Sequence, residues 1–99
     1  MDILPQKVGV WVDGDILTIL PEGQQVDVEV SSPVFYTADN ATFFTVRVYQ
    51  GDWETNPDLT TMGRFLVNIP HPGPMNQNPI VLKFTYCSDC IVRIRAYIN

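Results

Sequence analysis

Short apolar runs recur about every 8–15 residues along this sequence, and clusters of glycine, proline, asparagine and aspartate separate them. Each run has the length of a single strand, which is typical of a β-sandwich or barrel. Eight prolines and six glycines in 99 residues argue against a helical bundle. We therefore expect an all-β fold, with seven or eight strands in one domain that spans residues 1–99.

Eight segments carry the predicted strands. The alternation is clearest at 26–30, where three valines are predicted to face the core and two acids the solvent. Asp13-Gly14 predicts a hairpin turn, residues 50–63 a polar loop, and the prolines of 70–74 an irregular loop. The predicted strands are Val8–Val12, Ile16–Leu20, Val26–Val30, Val34–Thr37, Phe43–Tyr49, Arg64–Ile69, Ile80–Tyr86 and Ile91–Ile98.

The charge is acidic and unevenly distributed. Eleven acidic and six basic side chains give a net charge of −5. Residues 13–58 contain nine acids and one base (−8), whereas residues 59–99 contain four bases and one acid (+3). Such a chain lacks the basic surface that nucleic acid or an anionic membrane attracts, so we expect neither as a partner. The first residues lack the basic flank and apolar stretch of a signal peptide, and we expect a cytoplasmic location.

No residue pattern indicates catalysis or a metal site. Cys87 and Cys90 have the spacing of metal and dithiol motifs, but His71 is the only histidine and tetrahedral zinc needs four ligands. Two free thiols are the first interpretation, a disulfide across a turn the second and a metal site the third. Asp13 and Asp15 supply fewer oxygens than a calcium loop requires. We therefore expect no enzyme activity, no metal and no cofactor in this chain.

Two motifs resemble those of a known family. Val34-Phe35-Tyr36-Thr37-Ala38-Asp39-Asn40 resembles the V-F-x-T-A-x-D-N loop of the substrate-binding β-domain of the heat-shock 70 chaperone family. Val46-Arg47-Val48-Tyr49-Gln50-Gly51 resembles the V-x-Q-G strand end of that domain. Further segments resemble its other landmarks in the same order, so that the resemblance covers nearly the whole chain: Val8-Gly9-Val10, Met62-Gly63-Arg64-Phe65, Ile69-Pro70-His71-Pro72, Asn78-Pro79-Ile80 and Asp89-Cys90-Ile91.

The resemblance implies a two-layer antiparallel β-sandwich whose upper loops form a channel for extended segments of unfolded polypeptide. It also implies a domain excised from a larger chaperone, or a truncated relative, without the helical lid. ATP would bind a separate nucleotide-binding domain of a full-length relative. The alternative function is a structural or protein-interaction module, in which a degraded channel no longer binds peptide and the acidic face docks a fixed partner. Self-association through the channel or the edge strands is a further expectation.

Twelve channel residues follow from the resemblance. Backbone groups near Val12, Tyr36 and Ala38 would bond the peptide. The alternation of β-strand side chains turns Val10 and Val12 toward the channel and Trp11 away from it. The first wall comprises Val10, Val12, Asp13, Gly14 and Ile16; the second comprises Phe35, Tyr36, Thr37 and Ala38; the floor comprises Phe44, Val46 and Ile80.

Some channel positions carry a second interpretation or depart from the family. Val46 and Ile80 are as well explained as core residues. Asp13 replaces an apolar residue that arches over the peptide, and Phe44 replaces the usual valine of the central pocket. We therefore expect a channel that is narrower and more polar than is usual in the family.

Overall fold

The computed structural model describes residues 3–12, 14–53 and 60–98. These residues form eight strands and no helix. The strands make two antiparallel sheets, which confirms the predicted all-β sandwich. None of the described residues forms a helix that could cross a membrane. The strands are β1 (Val8–Val12), β2 (Asp15–Leu20), β3 (Glu29–Ser31), β4 (Phe35–Tyr36), β5 (Phe43–Gln50), β6 (Thr60–Asn68), β7 (Pro79–Tyr86) and β8 (Val92–Ile98).

The first sheet consists of two hairpins joined by a short ladder. Its strand order is β2-β1-β5-β6. The β5–β6 ladder is the longest, from Phe43 opposite Asn68 to Gln50 opposite Thr60. The ladder between β1 and β5 comprises only three residue pairs and ends where Val10 lies opposite Val48. The two hairpins are therefore held together at one end only.

The second sheet is built around β7. Strand β8 pairs with it from Ile80 to Tyr86 along one edge, so β3 and β4 share the other edge. Between β3 and β4, the N–H of Ser32 donates to the carbonyl of Leu82 (2.7 Å) and the hydroxyl of Ser32 accepts from the N–H of Leu82 (2.9 Å). The two short strands thus form one interrupted edge strand beside β7.

The core lies between the sheets. Alternate residues of β7 are buried, with Phe84 and Ile80 fully inaccessible to solvent. They pack with the inward side chains of β1 and β5, and burying one such side chain contributes about 1.5–3 kcal/mol. The buried apolar side chains are Leu4, Val8, Val10, Ile19, Leu20, Phe35, Val46, Val48, Ile69, Ile80, Leu82, Phe84 and Tyr86.

The strand predicted at 26–30 is wrong in its first half. Asp27 adopts a φ of 61°, and its N–H donates to the carbonyl of Tyr86 (2.8 Å), so the chain turns there instead of extending. Val28 is consequently 44% exposed, although the alternation predicted it in the core. Val26 and Val30 remain half-buried against the core, and pairing with β7 begins only at Glu29.

Other predicted boundaries also differ from the observed ones. The predicted strand at 34–37 pairs only at Phe35 and Tyr36, and Val34 is exposed. β6 begins at Thr60, so the polar loop predicted for 50–63 is too long at its C-terminal end.

Candidate functional site

The candidate site lies where the two hairpins of the first sheet diverge. Beyond Val10, β1 continues to Val12 with β2 as its partner, while β5 extends in the same direction to Phe43 with β6 as its partner. The gap between the hairpins is a groove of about 660 Å³. Because the β1–β5 ladder has ended, strand edges of both hairpins face this groove.

The groove lining is mostly apolar and aromatic. It comes from four parts of the chain: the end of β1, the segment around β4, the start of β5 and the loop after β6. No charged side chain is among the described residues that line it. A concave, mainly apolar surface with a few polar groups is typical of a ligand-binding site. The lining residues are Trp11, Val12, Val34, Phe35, Tyr36, Thr37, Ala38, Phe44, Thr45 and Met75.

Two aromatic rings give the groove its shape. The rings of Phe35 and Phe44 stack with centroids 6.2 Å apart and planes 19° from parallel. Phe35 is buried because β4 pairs there with β7, opposite Ile80. Phe44 is half-buried and packs against the core. Offset stacking at this distance is favourable, so the pair is a rigid element of the groove.

Hydrogen bonds between two loops hold one rim of the groove. The carboxylate of Asp39 accepts from the N–H of Met75 (2.7 Å), and the N–H of Asn40 donates to the carbonyl of Gly73 (2.7 Å). Asn40 has a φ of 58°, which asparagine tolerates better than most residues. These contacts fix Ala38 and Met75 on the same side of the groove.

The hydroxyl of Thr37 is an unsatisfied polar group in the groove wall. Thr37 is 4% exposed, and its Oγ1 has no hydrogen-bond partner among the residues that the structure describes. Leaving a buried hydroxyl without a partner costs about 1–3 kcal/mol. The neighbouring Tyr36 is 52% exposed, so one wall combines an open aromatic ring with a buried polar atom.

The structure brings half of the twelve predicted site residues together at the groove. Val10, Val46 and Ile80 lie in the core instead. Gly14 and Ile16 do not line the groove, and Asp13 lies outside the described residues. The six at the groove are Val12, Phe35, Tyr36, Thr37, Ala38 and Phe44.

Sequence reasoning missed four lining residues. Trp11, which strand alternation turns away from the site, is among the groove-lining residues together with Val12 and is 44% exposed. Val34 is the first residue of the motif that contains Phe35, and Thr45 directly follows Phe44. Their positions in the sequence could therefore have indicated that they line the groove. Met75 reaches the groove only because its loop folds back onto Asp39, and no local pattern indicates that contact.

The other candidate sites give less support for a functional role. A hollow of about 300 Å³ at the opposite end is lined by charged and polar residues, including Lys7, Glu22 and Asp52. Cys87 and Cys90 are free thiols. Within 3–12, 14–53 and 60–98, no group of three or more His, Cys, Asp or Glu side chains is arranged to hold a metal ion.

The fold and the groove define a small β-sandwich domain with an apolar cleft between its hairpins. The chain belongs to the Hsp70 family, because the family model described as Hsp70 protein matches residues 1–98. Chaperone protein DnaK of Thermosipho africanus is 36% identical over 99 residues, which cover 97% of this chain and 16% of that protein. Chaperone protein DnaK of Halobacterium salinarum is 34% identical over 98 residues, covering 97% and 15%. The chain thus spans about a sixth of the length of these curated relatives.

Proposed function

We propose that this chain is the substrate-binding β-domain of an Hsp70 chaperone and that its groove holds extended segments of unfolded polypeptide. The observation that carries the proposal is the early end of the β1–β5 ladder. It leaves strand edges facing an apolar groove. An extended peptide requires both features, since main-chain hydrogen bonds provide affinity and pockets select side chains.

The backbone groups assigned to the peptide are those of Val12, Tyr36 and Ala38. All three residues line the groove. Among the described strands, β4 pairs with β7 alone, and this pairing ends at Tyr36. The next residues therefore present their backbone to the groove without belonging to a ladder, which supports their use by a ligand.

The Phe35–Phe44 stack sets the proposed side-chain preference. A phenylalanine ring occupies more of the central pocket than a valine would, so we propose that side chains smaller than leucine fit there best. The expectation of a more polar channel depended on Asp13, outside the described residues. The described lining has no charged group and supports an apolar selection instead.

In this proposal residues 1–99 are the peptide-binding part of a larger chaperone, and a separate domain binds ATP. The chain itself catalyses no reaction and needs no cofactor. Self-association is proposed through the edges of β6 and β8, which no other described strand covers. Exposed Arg93 and Arg95 on β8 weaken such pairing, because charges on an edge strand disfavour it.

Fluorescence anisotropy of labelled heptapeptides tests the proposal. Peptides centred on valine and on leucine are titrated with the chain at low and high salt. We expect saturable binding that persists at high salt, with the valine peptide bound more tightly, because an apolar groove responds little to ionic strength.

Two matched variants locate the binding. Trp11→Ala removes a groove ring and should weaken binding about tenfold. Tyr97→Ala removes a similarly exposed ring from β8, outside the groove lining, and should leave the affinity unchanged. Absence of peptide binding by the folded chain would contradict the proposal. Binding of another protein that falls steeply with salt would then favour the alternative, a module that docks through its acidic face.

A further inference from the structure

The turn between β7 and β8 places two thiols at the ends of one β-turn. The N–H of Cys90 donates to the carbonyl of Cys87 (2.9 Å), and the N–H of Cys87 donates to the carbonyl of Ile91 (2.9 Å). Cys90 has a φ of 66°, so the three-residue loop matches a type I turn followed by a left-handed residue. The end residues of a β-turn have Cα atoms less than about 7 Å apart. A disulfide spans about 4.4–6.8 Å between Cα atoms, a range that overlaps the Cα spacing of a β-turn.

Cys90 occupies a backbone conformation that is unfavourable for it. Glycine adopts a positive φ without strain, whereas a Cβ atom is disfavoured there. Cys90 is nevertheless exposed and makes no contribution to the core. A side chain retained in a disfavoured conformation at an exposed turn points to a role for the side chain itself.

The two thiols have different surroundings. Cys87 is half-buried, and its thiol lies 3.8 Å from the carbonyl of Thr85. The guanidinium of Arg93 donates to Asp89 (2.9 Å), and Arg93 lines the same hollow as Cys87. The pKa of Arg93 is raised by the charge of Asp89 and by its contact with Cys87. Cys90 is therefore the more accessible of the two thiols, and Cys87 lies beside a guanidinium.

A positively charged hollow adjoins Cys87. It measures about 250 Å³, and its lining contains three cations and one acid. Lys83 and Arg95 lie directly opposite each other in the β7–β8 ladder. Glu29 pairs with Lys83 (3.6 Å) and Asp89 with Arg93 (2.9 Å), which leaves an excess of one positive charge at the hollow. This surface attracts small anions. The lining residues are Glu29, Lys83, Thr85, Cys87, Arg93 and Arg95.

We propose that Cys87 and Cys90 form a reactive dithiol site that is oxidised by small anionic disulfides, the class that includes oxidised glutathione. The thiolate of exposed Cys90 attacks one sulfur of the disulfide, whose S–S bond breaks and releases one glutathione thiolate. The thiolate of Cys87 then attacks Cys90 Sγ, and the second glutathione leaves as the Cys87–Cys90 bond forms. Two electrons pass from the cysteines to the glutathione disulfide, and the two thiol protons end on the two glutathiones.

The experiment incubates the reduced chain with oxidised glutathione and measures thiols by alkylation and intact mass. We expect both thiols to disappear together, a mass lower by about 2 Da and no lasting adduct. Cys87→Ser should accumulate a mixed disulfide at Cys90, because the resolving thiol is absent. Cys90→Ser should react at least about tenfold more slowly, because Cys87 is half-buried. Circular dichroism checks that each variant is folded.

Two arginine variants test the positioning role of Arg93. Arg93→Gln should slow the closing step about 3–10-fold, and Arg93→Lys should restore part of the rate. Arg95→Gln, on the same face of β8, is the matched control and should change only the first step. Two stable glutathione adducts on the unmodified chain, or thiols that stay reduced, would overturn the proposal. Equal closing rates in the Arg93 and Arg95 variants would overturn the role of Arg93.

Discussion

Strands β7 and β1 occupy central positions in their sheets but end differently. β7 has β8 along one edge and the interrupted strand β3–β4 along the other, and its side chains alternate strictly between buried and half-buried. β1 loses β5 after Val10, and its last residues, Trp11 and Val12, line the groove. A strand that is paired on both edges stabilises the fold, whereas one whose ladder stops early presents backbone and side chains to a ligand.

The largest expected effect is on the fully paired strand. Leu82→Ala removes a side chain that is 1% exposed and should lower the free energy of unfolding by about 2–5 kcal/mol. Val81→Ala, on the outer face of β7, should cost less than about 1 kcal/mol. Urea unfolding followed by tryptophan fluorescence measures both. If β7 is purely structural, the folded Leu82 variant binds peptide as the parent does. Weaker binding by that folded variant would contradict the assignment of β7 to stability alone.

The next largest loss of stability is expected at Gly9, where the β1–β2 ladder leaves no room for a side chain. A Cβ added at Gly9 would lie 2.5 Å from the carbonyl oxygen of Leu17, and 2.9 Å from side-chain atoms of Ile16 and Trp53. Because a paired backbone cannot move away easily, Gly9→Ala should destabilise the chain by about 1–3 kcal/mol. Thr18→Ala, at the position opposite Gly9, should change stability by less than about 0.5 kcal/mol. Equal unfolding midpoints for the two variants would argue against this contact.

Substitution of the stacked ring separates stability from binding. Phe44→Val removes the partner of Phe35 and should cost about 1–2 kcal/mol of stability. The same change enlarges the groove, so the affinity for a leucine-centred peptide should rise several-fold in the anisotropy titration. Phe43→Val is the matched control, because Phe43 is 53% exposed and does not line the groove. A loss of leucine-peptide affinity in the Phe44 variant would contradict our proposal that the Phe44 ring limits the size of the central pocket.

The smallest effect concerns the buried hydroxyl of Thr37. Thr37→Val keeps the shape of the side chain and removes the unpaired oxygen, so the free chain should gain about 1 kcal/mol of stability. Thr37→Ser keeps the oxygen and should not show this gain. Thermal unfolding measures both variants. A destabilised valine variant would mean that the hydroxyl has a partner in the folded chain.

The regular strands were predictable from the sequence because the alternation of apolar and polar side chains is a local pattern. Along β7 and β5, the alternation of side chains matches the burial, since each strand has a partner that keeps it extended. The same reasoning failed at 26–30, where Asp27 turns the backbone and exposes Val28. An alternation over five residues does not reveal that pairing with β7 begins only at Glu29.

The groove was only half predictable, because its geometry depends on where a ladder ends. The segment Phe35–Ala38 was found through its motif, and all four residues lie at the groove. Alternation along β1 gave no reason to expect Trp11 in the lining, because the groove opens only where β1 and β5 diverge after Val10. Met75 depends on a hydrogen bond to a residue 36 positions earlier, which no periodic pattern encodes.

The short β1–β5 ladder also determines how the molecule moves. Only three residue pairs join the β1–β2 hairpin to β5, so its tip can separate from the rest of the sheet at a lower free energy than global unfolding requires. Amide protons near Trp11 then exchange with solvent through local fluctuations, while those of Leu82 and Phe84 exchange only when the whole sandwich opens. On the proposed function, a polypeptide bound in the groove would act as the missing strand between the hairpins, and it would slow exchange at the tip without changing exchange in β7.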